Sequence, residues 1–265
     1  MFNLQFIKKL IEKLGFYVID VIENLGQVIT FMYRFFYWCH RPPYRFQLMF
    51  EQIYFVGNKS LFIIILSASF TGMVFAYQTY FGFQLISVDS LVGPIVSISL
   101  AKELAPVLTG LIVAGRAGAA MAAQIGSMKV TEQIDALEVM GISSYQYLAV
   151  PRIIAGTVAV PMLSVVFNLV GNIGSWFIGT KALMIDEVMY FSKLSEFMFV
   201  EDLAQGIIKA VFFGFIISVV GCYFGFKVEK GAVGVGKGTN LAVVWGMILV
   251  LILDYFLTSF LIRIL

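Results

Sequence analysis

Long apolar runs without charge constrain this chain more than any other feature of its sequence. Residues 60–83 contain no charged side chain, and four further apolar stretches of similar or greater length follow. About 20 apolar residues in a helix cross a bilayer, and in lipid every backbone polar group must be satisfied within the protein. The runs therefore predict an all-α, polytopic membrane protein.

The composition agrees with this and excludes other classes of protein. Hydrophobic residues make up 60% of the chain and charged residues 13%, against about 45–50% and about 25% in soluble domains. The 18 basic residues are balanced by 16 acidic ones and are scattered, which argues against a nucleic-acid partner. Cys39 and Cys222 lack the spacing of metal ligands, and we interpret both as unpaired structural thiols. No cofactor, metal site or cleavable signal peptide is expected.

Residues 1–56 are apolar but repeatedly interrupted by charge, and Pro42-Pro43 breaks any helix there. This pattern favours helices that lie on the membrane. Residues 16–38 could instead span it, although Asp20, Glu23 and Arg34 would each cost a few kcal/mol at the bilayer centre. We favour the interfacial arrangement and leave the spanning alternative open, with a permease domain over residues 57–265.

Five spans are predicted within that domain, over residues 60–83, 91–123, 148–179, 203–226 and 241–262. The second contains Lys102, Glu103, Pro106 and Arg116 and exceeds the roughly 30 Å of the hydrocarbon core. It must be tilted, broken or partly outside the lipid. Residues 87–90 form a short polar link, residues 124–147 the most polar block, and residues 181–202 a separate segment outside the membrane.

Basic residues in the connections predict the orientation. Thirteen of the eighteen would share one side: Lys8, Lys9, Lys13, Arg34, Arg41, Arg45, Lys59, Arg116, Lys129, Arg152, Lys227, Lys230 and Lys237. By the positive-inside rule, this places the N-terminus and residues 124–147 in the cytoplasm. Residues 181–202 are then periplasmic, and the C-terminus lies on the same outer side.

Small residues recur at every fourth position in three of the spans. They are Ala68, Gly72 and Ala76 in the first, Gly110, Ala114, Gly118, Ala122 and Gly126 in the second, and Gly206, Ala210, Gly214, Ser218 and Cys222 in the fourth. Such a stripe lies on one helix face and lets another backbone approach closely. Packing within one bundle explains the stripes sufficiently, and the longest stripe also suits a homodimer.

The segment 231–239, GAVGVGKGT, imitates a phosphate-binding loop. Gly238 follows Lys237 where that motif requires a hydroxyl, and the segment follows a membrane helix instead of a strand. Nucleotide binding is therefore not expected. We predict a flexible cytoplasmic turn whose Lys230 and Lys237 face lipid headgroups.

Glu103 and Asp254 lie inside apolar segments, where an ionised carboxylate is expensive unless it meets a cavity, a cation or another polar group. Two interpretations have equal weight. The carboxylates tie spans together, or they belong to the transport path. A proton-coupled carrier that uses both acids is a sharper alternative.

The polar block contains the strongest local signal, an amphipathic helix over residues 127–141 bounded by Gly126 and Gly141. One face consists of Val130, Ile134, Leu137 and Met140, and the others contain Glu132, Asp135 and Glu138. Helices that float on a membrane favour lysine and arginine on the polar face. This helix is mainly acidic, so docking on a protein explains it better. A passive membrane anchor for other subunits is a further alternative for the function of the chain.

The same region resembles a known family. The run from Leu100 to Arg152, LAKELAPVLTGLIVAGRAGAAMAAQIGSMKVTEQIDALEVMGISSYQYLAVPR, is similar to the signature region of the MlaE permeases. The likeness extends more loosely through YFGFQ after the first span, EKGAVGVGKGTN before the last, and LDYFLT around Asp254.

This resemblance implies the membrane subunit of an ABC system that moves phospholipid between bacterial membranes. The expected partners are a second copy of the permease, a cytoplasmic ABC ATPase, a periplasmic MCE-domain protein and a small STAS-domain protein. By position, Glu103 and Tyr77 or Tyr80 would face the lipid. Residues 127–141 would be the coupling helix, with Val130, Ile134, Leu137, Glu138 and Met140 as its contact residues.

Overall fold

The computed structural model describes residues 4–84, 88–229 and 231–263. Lys230, Ser87 and the side chains of Lys8, Lys9, Lys13 and Asp20 lie outside the described parts. The α-helices found there are α1 (Leu4–Cys39), α2 (Phe46–Gln84), α3 (Val92–Ser99), α4 (Ala105–Val113), α5 (Ala119–Val130), α6 (Gln133–Val139), α7 (Val150–Phe177), α8 (Glu187–Phe197), α9 (Val200–Phe226) and α10 (Ala232–Leu261).

The chain divides into two compact units between Tyr44 and Arg45. The first unit consists mainly of α1, a single helix of 36 residues. Its exposed apolar side chains follow helical spacing at Ile22, Leu25, Ile29, Tyr33 and Phe36. This stripe suits the predicted location on a membrane surface. The first turns of α2, from Phe46, lie within the residues assigned to the interface from sequence.

Five helical segments of the described chain are long and apolar enough to cross a membrane: Phe46–Gln84, Asp89–Val130, Tyr145–Ala182, Val200–Phe226 and Ala232–Leu261. They confirm the five predicted spans and the all-α class. Successive spans run in opposite directions, so the connection that contains α6 and the connection between α9 and α10 lie at one end, named the α6 end. The opposite end contains α8 and is named the α8 end.

Two of the spans are interrupted by π-helical turns that end just before a proline. The turn Leu100–Leu104 in the second span ends two residues before Pro106, and the turn Tyr145–Ala149 ends two residues before Pro151. Proline has no N–H to continue the backbone ladder, and the π-helix, which is rare, occurs mostly as single turns inside α-helices. The second span is therefore irregular at Glu103 but continuous from Asp89 to Val130, so of the predicted alternatives a break is not what the structure shows.

The small-residue stripes bring helices together within a single chain. Gly72 of α2 meets the backbone of Gly171 in α7, and Gly214 of α9 meets that of Gly156. Gly221 of α9 lies against Gly118 of the second span, where an added Cβ would come 2.9 Å from its carbonyl oxygen. Internal packing thus accounts for these faces, as expected from their spacing. The homodimer remains a prediction.

The glycine-rich segment is not the flexible turn that we predicted. Only Gly231, with φ of 91°, has a turn conformation, and α10 begins at Ala232. Gly234 and Gly238 are buried, and an added Cβ at Gly238 would lie 2.7 Å from the Val228 side chain. These glycines are required for close packing of the helix start against the preceding connection, which the local composition alone did not indicate.

The helix predicted over residues 127–141 is two helices. α5 ends at Val130, Glu132 has a left-handed φ of 59°, and α6 covers only Gln133–Val139. The hydroxyl of Thr131 donates to the Ser127 carbonyl at 2.9 Å. Such a side chain competes with the backbone for helical hydrogen bonds and favours a helix end. α6 therefore projects as the short tip of a hairpin between α5 and α7.

At the opposite end, α8 is fixed by Tyr190, which is 1% exposed. Its ring lies against Gly93 and Gly179, where a Cβ at Gly93 would come 2.7 Å from the ring. Its hydroxyl lies 3.1 Å from Ser175 Oγ, and burial raises the pKa of Tyr190. The segment assigned outside the membrane therefore folds back onto the bundle.

Candidate functional site

A cluster of charged side chains joins the second, fourth and fifth spans. Lys209 Nζ of α9 lies 2.5 Å from Glu103 Oε2, 2.6 Å from Thr258 Oγ1 and 3.2 Å from Asp254 Oδ1. The contact with Asp254 is an ion pair without hydrogen-bond geometry. We name these four residues the charged cluster. It provides the cation that the two intramembrane carboxylates require.

Exposure differs sharply among its members. Lys209 is 1% exposed, whereas the side chains of Asp254 and Glu103 are 24% and 40% exposed. Two carboxylates against one ammonium leave an excess of one negative charge, and Glu103 is the most exposed of the three charged side chains. The cluster therefore ties three spans together and also presents an anionic group at the surface of a single chain.

Lys209 was missed in the sequence analysis, although it is the only charged residue in the apolar run 203–226. A charge there should have prompted a search for counter-charges in the other spans. Glu103 is 106 positions away in sequence. Because no local pattern links such distant residues, only the tertiary structure brings Lys209 to both acids.

A second ion pair strengthens the attachment of α9 to the second span. Lys102 Nζ lies 2.7 Å from Asp202 Oδ1, and Asp202 Oδ2 accepts from the Phe199 backbone N–H at 2.9 Å. Adjacent residues 102 and 103 thus have different partners, as their angular separation on a helix suggested. Between the two ion pairs, Gly206 lies against the carbonyl oxygen of Ala101. The π turn Leu100–Leu104 therefore contacts α9 through three successive residues, Ala101, Lys102 and Glu103.

The predicted lipid-facing tyrosines lie on α2. Tyr77 is half-exposed, Tyr80 packs partly against the core, and their rings lie 4.8 Å and 5.7 Å from that of Phe81. Among the described residues, no hydrogen bond joins either tyrosine to Glu103. The aromatic group and the charged cluster are therefore separate features within one chain.

The predicted coupling residues fall into two groups. Ile134 is 6% exposed, and Val130 and Leu137 are half-buried, so these side chains hold the hairpin together. Met140 is 65% exposed, as is the neighbouring Val139 at 88%. Glu138 is exposed, and its Oε1 accepts from Ser144 Oγ at 2.9 Å. The outward apolar surface thus consists of the last residues of the hairpin tip, and Val139 was not among the predicted contacts.

Within the described part of the chain, no group of three or more histidine, cysteine or acidic side chains has an arrangement that could hold a metal ion. The polar side chains of the spans are mainly bonded to one another or to backbone carbonyls. Arg116, for example, donates to the carbonyl of Phe55 at 2.7 Å. The distinctive features are therefore the charged cluster, the aromatic group on α2 and the exposed tip at α6.

Comparison with known proteins shows similarity to membrane transport permeases. The family described as Permease MlaE matches residues 49–260. A probable ABC transporter permease protein of Rickettsia bellii is 38% identical over 248 residues, covering 94% of this chain and 96% of the relative. The intermembrane phospholipid transport system permease protein MlaE of Haemophilus influenzae is 34% identical over 250 residues, again covering 94% and 96%.

A third relative is a chloroplastic protein. The Arabidopsis thaliana protein named TRIGALACTOSYLDIACYLGLYCEROL 1, chloroplastic, is 35% identical over 210 residues, which cover 79% of this chain and 60% of that protein. The matched region in the family comparison contains all five spans apart from the first residues of α2 and the last residue of α10. Fold, membrane spans and sequence agree, and the chain belongs to the MlaE permease family.

Proposed function

We propose that this chain is the permease subunit of an ABC-type transporter that moves phospholipid between the inner membrane and a periplasmic MCE-domain protein. A separate cytoplasmic ATPase would supply the energy. The observation that carries this proposal is the outward tip of the hairpin, where Val139 and Met140 are exposed beside the acids of α6. The printed names of the Rickettsia and Haemophilus relatives, an ABC transporter permease and a phospholipid transport permease, support it.

The tip is suited to receive force from a partner. Exposed apolar side chains are stabilised when a partner covers them, and interface energy concentrates in a few central residues. Val139, Met140 and Glu138 would contact the ATPase directly. The other predicted contact residues would contribute indirectly, because the side chains of Val130, Ile134 and Leu137 fix α6 to the hairpin.

Orientation follows from the same proposal. The α6 end would face the cytoplasm, in agreement with the thirteen basic residues assigned to that side. The α8 end would face the periplasm and the MCE-domain protein. A small STAS-domain protein would accompany the ATPase, and the membrane would be the bacterial inner membrane.

The lipid would bind between two copies of the chain. α2 and α10 are the least buried spans of the single chain, so they are the natural faces for a second copy. In such a homodimer, Tyr77 and Tyr80 of α2 would contact the acyl region. Glu103 would provide polar contact with the lipid headgroup from the accessible side of the charged cluster.

The test is release of the ATPase by a charge at the tip. Val139→Asp and Met140→Asp place a carboxylate on a surface already exposed, so the fold should persist. We expect the ATPase to be lost from the purified complex and ATP-driven lipid transfer to stop. Val188→Asp is the matched control, because Val188 is 78% exposed but lies on α8 at the opposite end. It should keep its ATPase.

The outcome separates this proposal from the alternatives. If the Val139→Asp and Met140→Asp proteins retain the ATPase and full transfer, α6 is not the coupling helix. Transport that is stopped by an ionophore but survives ATP depletion would indicate a proton-coupled carrier that uses Glu103 and Asp254. A complex in which no lipid moves under either condition would indicate a passive anchor.

A further inference from the structure

The end of α9 is held by residues on both sides of α6. Lys129, in the last turn of α5, donates from Nζ to the Phe226 carbonyl oxygen at 2.6 Å. Tyr145, which follows α6, stacks its ring on that of Phe226, with centroids 5.1 Å apart and planes 7° from parallel. We name Lys129, Tyr145 and Phe226 the α9 clasp. Both arms of the hairpin therefore contact the same residue.

The connection after Phe226 also packs closely against neighbouring helices. Val228 is 4% exposed and packs against Gly126 of α5 and Gly238 of α10, at each of which a Cβ would lie 2.7 Å from its Cγ2. Only glycine leaves room for this side chain. Val228 is consequently held between α5 and the start of α10, so a displacement of α5 would press on the residue two positions after Phe226.

The bond made by Lys129 has a clear electrostatic basis. The last carbonyl groups of a helix lack intrahelical donors, and the helix dipole places partial negative charge there. An ammonium is a favourable partner at that position. Lys129 is exposed, so its contribution to stability is modest, and its main consequence is to fix the position of the α9 terminus.

α9 is built to transmit a displacement along its length. It runs from Val200 to Phe226 without a proline or a π turn, whereas the second and third spans are interrupted by π turns. Lys209 lies 17 residues before Phe226, or about 26 Å along the helix at about 1.5 Å per residue. A shift at Phe226 would therefore reach the charged cluster through a continuous helix.

We infer that Lys129, Tyr145 and Phe226 are positioning residues that transmit movement of α6 to α9 and so to Lys209 and Glu103. This inference rests on the proposed function. The hairpin contacts the ATPase at its tip and holds α9 at its base, and the α9 clasp is the connection between them. Lys129 thus has a specific role at the base of the hairpin, in addition to being one of the basic residues that predict the orientation.

The test uses the complete transporter reconstituted in phospholipid vesicles with its ATPase. Lys129→Met removes the donor and keeps the aliphatic stem, and Tyr145→Leu removes the stacked ring. We expect each variant to assemble and hydrolyse ATP, while the lipid moved per ATP falls at least about fivefold. Lys129→Arg should restore most of the ratio, because it retains a cationic donor.

Lys227→Met is the matched control. It removes a cation one residue beyond Phe226 and leaves the α9 clasp intact, so it should keep the wild-type ratio. The inference is overturned if Lys129→Met keeps that ratio, or if Lys227→Met lowers it equally. If the wild-type complex hydrolyses ATP but moves no lipid, the proposed function itself is wrong, which distinguishes the two failures.

Discussion

Gly206 of α9 lies against the carbonyl oxygen of Ala101, at a point where the second span departs from a regular α-helix. Ala105 N–H bonds to the Leu100 carbonyl, and Pro106 has no N–H to offer to Ala101. The irregular turn therefore brings a carbonyl to a helix face where only glycine can meet it. Lys102 and Glu103, which follow Ala101, form their ion pairs with α9 as well.

The first prediction concerns this contact. Gly206→Ala should lower the free energy of unfolding by about 2 kcal/mol, because the new methyl group would overlap backbone that cannot move like a side chain. Denaturant unfolding in detergent micelles would measure the change. Gly57→Ala in α2 is the control, since no atom lies within 4 Å of an added Cβ there, and it should not destabilise. Equal stability of the two variants would contradict the close contact.

The second prediction concerns the buried cation. Lys209→Met leaves Glu103 and Asp254 without their counter-ion, and breaking a buried ion pair in this way typically costs about 3–5 kcal/mol. Adding Glu103→Gln and Asp254→Asn should recover part of the loss, because no unpaired charge then remains. Lys237→Met, at an exposed lysine of α10, should leave unfolding unchanged. A Lys209→Met protein as stable as wild type would show that the cluster is not an electrostatic tie.

The third prediction separates the structural and transport roles of Glu103. Glu103→Gln keeps the shape of the side chain and leaves Lys209 paired with Asp254. The permease should therefore fold and assemble with its ATPase, while ATP-driven lipid transfer is slowed because the accessible charge is lost. Transfer of labelled phospholipid, measured beside size-exclusion chromatography of the complex, tests both parts. Loss of assembly alone would mean that Glu103 is only structural.

The fourth prediction concerns orientation. Val188 and Val233 are 78% and 74% exposed at opposite ends of the bundle, whereas the neighbouring Tyr190 and Gly234 are buried and unsuitable for labelling. In a chain with Cys39→Ser and Cys222→Ala, Val188→Cys should react with an impermeant thiol reagent in intact cells from the periplasmic side. Val233→Cys should react only after the inner membrane is permeabilised. The opposite pattern would reverse the proposed orientation.

The sequence pattern predicted the structure reliably where the surrounding lipid dictates it. Apolar runs must form helices in lipid, so all five spans could be predicted. The helices of the first and last spans begin 14 and 9 residues before the predicted bounds, at Phe46 and Ala232. Small residues at every fourth position also marked the faces that meet other helices. The pattern could not show which face meets which. Gly72 with Gly171 and Gly214 with Gly156 are pairings that only the packed bundle defines.

Local composition was less reliable at the α6 end. A run rich in glycine suggested a flexible turn, yet it forms the first turns of α10, because Gly234 and Gly238 are needed for close approach to residues 228 and 229. The amphipathic pattern over residues 127–141 suggested one helix. Its periodicity continued across Glu132, but the left-handed backbone there divides the helix and turns α6 outward.

Residue types and their order are enough to predict that this chain lies in lipid, that it is helical with five spans, and that two intramembrane acids need an explanation. These follow from the energetic cost of placing backbone and charge in lipid, which each segment meets independently of the others. The partners of these side chains are defined only by helix packing: Lys209 for Glu103 and Asp254, and Phe226 for Lys129 and Tyr145. Such contacts join residues far apart in the chain, and their geometry exists only after the helices have packed.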